Sequence, residues 1–179
     1  MMHIIITYPE FFSNEINQIL SWLDDGDCRL HLRKPKASQL EIEALLRSIP
    51  AEYHPRIVLH DYHFLAEKYR LGGLHFSTQK RAEFFDKNAL QCVSTSCHSI
   101  DELREIDGQF DYTFLSPVFP SISKPGYAGN LDMQEVATYL QIPHKTRVIA
   151  LGGINQSKIE QVRKMGFDGY AMLGAAWKI

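Results

Sequence analysis

The chain of 179 residues carries 19 Lys+Arg against 21 Asp+Glu, for a formal net charge of -2, with 45% hydrophobic and 22% charged residues. These proportions suit one globular domain over residues 1–179 and exclude disorder, collagen and coiled coil; they give no clustered positive field for a nucleic-acid partner, and no apolar run nears the roughly 18 residues of a membrane span. The odd cysteine count (Cys28, Cys92, Cys97) and an apolar start that meets Pro9-Glu10 too early for a signal peptide point to free thiols in the cytoplasm.

Short β-type runs alternate with segments of helical spacing from end to end. His3–Tyr8 opens the series, and a segment with Ile16, Ile19, Leu20 and Leu23 on one face follows, stopping at Gly26. Cys28–Arg33 is the second strand, after which Ser38 and Glu41 form a capping-box pair. Arg56–His60, Gly73–Phe76 and Gln91–Thr95 are the next three, and Ser99 with Glu102 repeats the helix-start pair. Asp111–Leu115 is the sixth strand, trailed by the longest irregular stretch, Ser116 to Leu131. Arg147–Leu151 is the seventh, a helix with Ile159, Val162 and Met165 stops at Gly166, and Gly169–Leu173 is the eighth. An open doubly wound sheet has roughly five or six strands; eight with short crossovers favour an α/β fold of the closed (β/α)8 TIM-barrel type. Only Gly174 to Ile179 remain after the last strand, so the barrel is short and lacks its closing eighth helix. The uncovered wall calls for a homodimer, or for Trp177 folded over the gap.

In such barrels the chemistry lies just past the C-terminal ends of the strands. Strand two ends His31-Leu32-Arg33-Lys34, and period-two alternation sends His31 and Arg33 to the face opposite Leu30 and Leu32, the expected interior. There Arg33 either pairs with a neighbouring carboxylate or meets an anionic substrate. Strand three ends His60-Asp61, strand four holds His75, and strand five runs on to Ser96-Cys97-His98. Imidazoles suit zinc and similar ions, yet the spacing of these four histidines matches no fixed zinc motif; His60 and Ser96 are candidate substrate contacts, and His31 and His98 are candidate proton carriers. A Cys97 nucleophile is disfavoured because adjacent strand residues point to opposite faces. Gly152-Gly153 after strand seven and Gly174 after strand eight form two neighbouring turns at the corner where barrels bind phosphate. Ser121, Ser123 and Lys124, in the loop after strand six, suit a second anionic group.

Leu30-His31-Leu32-Arg33-Lys34, the run from His60 to Ala66, Gly73-Leu74-His75, Ser96 to Ser99, Asp111-Tyr112, Ser116 to Lys124, Leu151 to Asn155 and Asp168-Gly169 together resemble the thiamine phosphate synthase and TenI family through nearly the whole chain. The resemblance implies an enzyme that joins hydroxymethylpyrimidine pyrophosphate to thiazole phosphate, releasing pyrophosphate by way of a pyrimidine cation, with Mg2+ as cofactor. It places Arg33, Lys124, Ser121 and Ser123 on the pyrophosphate, Asp61 on magnesium and Gly153 at the thiazole phosphate. Lys80 stands where the synthase pattern has a second magnesium carboxylate, His60 where it has asparagine and His31 where it has glutamine; its strand-two lysine falls on Pro35, between Lys34 and Lys36. Two further readings remain: a TenI-like metal-independent thiazole tautomerase, whose loop histidine is replaced by Pro117, and a non-catalytic thiamine-phosphate binder.

Overall fold

The computed structural model describes residues 1–83, 92–120 and 131–179. Eight parallel strands close into a barrel in sequence order: β1 (Met2–Ile6), β2 (Cys28–Leu32), β3 (Ile57–Leu59), β4 (Gly73–Phe76), β5 (Cys92–Cys97), β6 (Tyr112–Leu115), β7 (Arg147–Ala150) and β8 (Gly169–Met172). Closure through the β1–β8 pairing leaves no edge to protect. Six α-helices lie among the described residues: α1 (Glu15–Asp24), α2 (Gln39–Ser48), α3 (Leu65–Tyr69), α4 (Ile100–Ile106), α5 (Met133–Leu140) and α6 (Ile159–Lys164).

Strand parity divides the apolar residues into two shells. Ile4, Ile6, Tyr112, Phe114, Ile149 and Ala171 fill the barrel, while Ile5, Leu30, Leu32, Leu59, Val93 and Val148 point outward and pack under helix residues such as Ile19, Leu46 and Leu103. The expected third strand is trimmed at both ends. Arg56 belongs to the 3-10 turn Ala51–Arg56, where its guanidinium donates to the carbonyls of Leu23 and Gly26. β5, by contrast, runs on to Cys97. The Ser38 capping box is complete. At Ser99 the hydroxyl accepts the Glu102 N–H, but the Glu102 carboxylate turns to Arg81 at 3.1 Å, an ion pair that competes with the return bond to the cap.

After β8 the chain folds back over the barrel wall between β8 and β1. Trp177 is only 7% exposed, its indole N–H donates to Ile6 O at 2.8 Å and its ring packs edge-on to Phe12. The tail is tied along α1, with Trp22 Nε1 donating to Ala176 O and Gln18 bonding the Lys178 backbone in both directions. On the outer wall His3 of β1 stacks on Tyr170 of β8, with Trp22 against its edge. Of the two expected covers, the folded-over Trp177 is the one present in the single chain.

Candidate active site

A cavity of about 570 Å³ opens at the C-terminal ends of the strands. Arg33 enters its wall one residue past β2, and Thr7 fixes it there: the Thr7 hydroxyl donates to Arg33 O and accepts the Arg33 N–H, both at 2.9 Å. His60 and His75 come from β3 and β4 and stack at 4.1 Å between ring centres. His63 holds those two strand ends together, its Nε2–H shared between the carbonyls of His60 and His75 at 3.1 Å each. Beneath them His31 is fully buried, with Nδ1 at 2.9 Å from His60 Nε2 and Nε2 at 2.6 Å from the Tyr112 hydroxyl. His75 completes the group through Ser94 Oγ at 2.9 Å and Ser96 Oγ at 3.1 Å.

Burial governs the protonation of these rings, because a charged imidazole there loses its hydration. It pushes His75 down to about 3, helped by the nearby His63 and Arg33. It holds His31 and His60 well below the usual histidine range, with the neighbouring His75 the second cause for each. The floor of the site is therefore neutral at physiological pH. Burial also raises the Tyr112 hydroxyl well above the usual phenol range. His98 is exposed at the rim; its Nδ1–H donates to Ser116 O at 2.9 Å, which leaves the Nε2 lone pair of the neutral ring for a ligand.

Of the residues singled out in the sequence, Arg33, His60, Ser96 and His98 share this cavity. His31 is not in its lining but touches it through His60, His75 and Phe114. Gly152, Gly153 and Gly174 are not in its lining. Gly152 and Gly153 adopt φ of 97° and 61° and lie against the segment leaving β6, where a Cβ would stand 2.7 Å from Pro117 Cα and 2.6 Å from Pro120 O respectively. That contact, with Val118 N–H on Leu151 O and Phe119 N–H on Gly152 O, seats the start of the β6 loop on the β7 turn. Ser121, Ser123 and Lys124 lie outside the described residues. Lys34 turns away from the mouth into a buried pair with Glu15 and donates to Glu10 O.

The donor set does not fit a dedicated magnesium site. Asp61 is half-exposed and 2.7 Å from Lys80 Nζ, so the one carboxylate expected on the metal is already neutralised by an ammonium. A hard dication needs several oxygen ligands and near-octahedral geometry, and the described lining of the cavity contains no carboxylate. Sequence reading missed Ser77, Thr78 and Gln79, which line the cavity after β4, and Tyr112 as the partner of His31. The inward parity of Tyr112 and Phe114 in β6 was the available signal for the latter. A larger concavity of about 670 Å³, lined by Phe11, Phe12 and Leu45 between α1 and α2, lies on the helical layer away from the strand ends.

The barrel has known counterparts. A family model described as thiamine monophosphate synthase matches residues 4–176. A thiamine-phosphate synthase of Methanococcus maripaludis is 25% identical over 173 residues, covering 92% of this chain and 81% of its own. One of Proteus mirabilis is 24% identical over 155 residues, covering 84% and 71%. The crystal structure of a thiamine phosphate pyrophosphorylase from Bacteroides thetaiotaomicron superimposes with a TM-score of 0.81 at 34% identity, over 98% of this chain and 84% of that one. With sequence and barrel in agreement almost from end to end, the chain belongs to the thiamine monophosphate synthase family.

Proposed function

We infer that the chain is a transferase of the thiamine-phosphate synthase type, joining hydroxymethylpyrimidine pyrophosphate to thiazole phosphate with release of pyrophosphate. The observation that carries this reading is the polarity of the mouth. Its rim offers a guanidinium, imidazoles and the hydroxyls of Ser77, Thr78, Ser96 and Ser116, while its walls are the apolar Ile6, Phe114, Leu151 and Leu173. Such a cavity takes a flat ring against its walls and phosphorus-bound oxygens at its rim.

In the reaction the bond between the pyrimidine methylene carbon and the pyrophosphate oxygen breaks, the oxygen leaves with the electron pair, and the thiazole nitrogen supplies the pair for the new C–N bond. The demand on the protein is to stabilise the negative charge gathering on the leaving group with preorganised donors rather than to supply a strong base. Arg33 is placed for that work by Thr7, with Lys124, Ser121 and Ser123 proposed on the same group; no step is assigned to magnesium. The Gly152-Gly153 and Gly174 turns, as the place of the thiazole's single phosphate, form the second half of the proposed site. Free cysteines fit a cytoplasmic enzyme. A homodimer remains part of the proposal, although the chain covers its own barrel gap.

The magnesium-free donor set and the rim position of His98 favour a second reading, a thiazole tautomerase that moves a proton through His98 Nε2. One pair of assays separates them. Purified protein given both synthase precursors should form thiamine phosphate, and Lys124→Ala and Arg33→Ala should each lower kcat/KM by about tenfold or more, equivalent to about 1.4 kcal/mol of transition-state stabilisation. Absence of product at high enzyme concentration removes the transferase, and isomerisation of the thiazole carboxylate phosphate in EDTA installs the tautomerase. Binding of both phosphates with neither reaction leaves the non-catalytic binder.

A further inference from the structure

We propose that His31, His60 and His75 form a transition-metal site of the class that takes Zn2+ or Co2+, set under the barrel mouth and separate from the Asp61–Lys80 pair. One ring nitrogen from each lies within 4.8 Å of the other two. The three side chains come from neighbouring strands, β2, the end of β3 and β4, so the barrel wall sets their spacing. Two nitrogens bound to one tetrahedral ion at 2.0–2.1 Å stand about 3.3 Å apart. His31 Nδ1 and His60 Nε2 are 2.9 Å apart, so small ring rotations bring that pair to ligand spacing. His63 tethers the backbone of the other two ligands, which limits how far they must move.

Protonation states and outer partners are already suited to a metal. Imidazole binds as the neutral base, the form that burial enforces here. Between His31 and His60 an ion takes the place of the bridging proton, which moves to the outer nitrogen of its own ring, so that no net proton is released. With the ion bound, the His31 hydrogen is required on Nε2, facing the Tyr112 oxygen at 2.6 Å, and the His60 hydrogen on Nδ1. His75 gives one nitrogen to the ion and keeps the other on the hydroxyl of Ser94 or Ser96. Partners of this kind orient the ligand rings.

Three neutral nitrogen ligands select borderline metals and reject magnesium and calcium, which want oxygen. They also leave the full dipositive charge of the ion in place. His60 and His75 line the cavity, so the fourth coordination position opens into the mouth and suits an anionic oxygen, from hydroxide or a phosphate group. The site does not depend on the reaction proposed above.

The test uses the metals alone. Chelator-treated protein titrated with Co2+ should bind one ion per chain and develop the visible absorption of tetrahedral cobalt; Zn2+ should abolish that absorption, and excess Mg2+ should leave it unchanged. Zn2+, and not Mg2+, should raise the melting temperature of the same protein. Tyr112→Phe, which removes only the outer partner of His31, should weaken Co2+ binding by about 10- to 100-fold. His60→Asn and His75→Asn should weaken it further, and His144→Gln, before the opposite, N-terminal end of β7, should leave it as it is. Failure of the native protein to take Co2+, an octahedral spectrum, or equal affinity and spectrum in a folded His60→Asn protein each overturns the site. Should His75→Asn not fold, the native cobalt spectrum and the Tyr112→Phe affinity still decide the matter.

Discussion

Acid should unfold this barrel through its buried imidazoles before its carboxylates titrate. An unfolded histidine titrates near 6.5, whereas His75 in the fold is pushed down to about 3 and His31 lies well below its usual range, burial being the first cause in both. Between about pH 7.5 and about pH 5.5 each ring in the unfolded chain passes from about one-tenth to about nine-tenths protonated, while the folded rings stay neutral. The unfolded state thus binds more protons, and the free energy of unfolding falls by about 1.4 kcal/mol for each ring, or about 3 kcal/mol for the two. This stability is complete only well above pH 6.5 and continues to drain as the pH falls toward the folded value of His75. His3 and His63, also lowered chiefly by burial, and His60 at the cavity wall act in the same direction. Set against a net stability of about 5–15 kcal/mol for a typical domain, the loss is large. Urea unfolding followed by circular dichroism across this range measures it directly, and His75→Asn should remove about half of the two-ring decline. Stability that is flat over the range, or a decline of the same size in a folded His75→Asn protein, refutes the argument.

Trp177→Ala should cost about 3–5 kcal/mol, the usual range for emptying a buried aromatic site, because it also strands the Ile6 carbonyl at the end of β1; a urea midpoint near that of the native chain would show that the tail is not a structural cover. Gly153→Ala places a Cβ 2.6 Å from Pro120 O at a φ of 61°, and should destabilise by about 1–3 kcal/mol while raising KM through the displaced β6 segment, both readable from urea curves and initial rates. Lys80→Asp exchanges the ammonium on Asp61 for a second carboxylate; direct titration should show Mg2+ binding this variant about tenfold or more tighter than the native chain, about 1.4 kcal/mol, and equal binding would separate position 80 from any metal. Ser38→Ala removes the hydroxyl that accepts the Glu41 N–H but keeps the return bond from the residue-38 N–H to the Glu41 carboxylate, and should lower stability by about 1 kcal/mol in the same unfolding assay.

The barrel was legible because its strands alternate at the right spacing and because parity alone sends His31 and Arg33 inward while Leu30 and Leu32 go under the helices. The polar strand ends were legible for the same reason. What parity does not contain is stagger. His31 pairs with Val58 and Val58 with Gly73, so His60 and His75 stand level with each other and two residues further along their strands than His31; the stagger of the closed sheet decides that they lie over it. The fate of a charged side chain is likewise set by tertiary partners. Lys34 and Arg33 are adjacent in sequence, yet Glu15 on α1 draws Lys34 away while Thr7 holds Arg33 at the mouth. Glu102 leaves its cap for Arg81 by the same logic of the nearest opposite charge. The Gly152-Gly153 pair shows how one sequence feature serves two demands: the motif suggests phosphate, and the structure gives it a packing role against Pro117 and Pro120 that would require glycine with or without a ligand.

Depressing the imidazole pKa values also bears on the chemistry under the transferase reading. Departure of pyrophosphate leaves a cationic pyrimidine, and a protonated ring about 4 Å from that cation would raise its energy by about 4 kcal/mol at the effective dielectric of a protein surface. In the metal-free protein neutral His60 and His75 avoid that penalty on the floor of the site, while the charge of Arg33 stands at the wall, where the departing anion needs it. The same arrangement disfavours His31 as a general acid, because burial penalises its charged form, whereas His98 is exposed at the rim. Proton transfer, if the family's isomerase chemistry operates here, therefore belongs to the rim, and charge separation to the boundary between rim and floor.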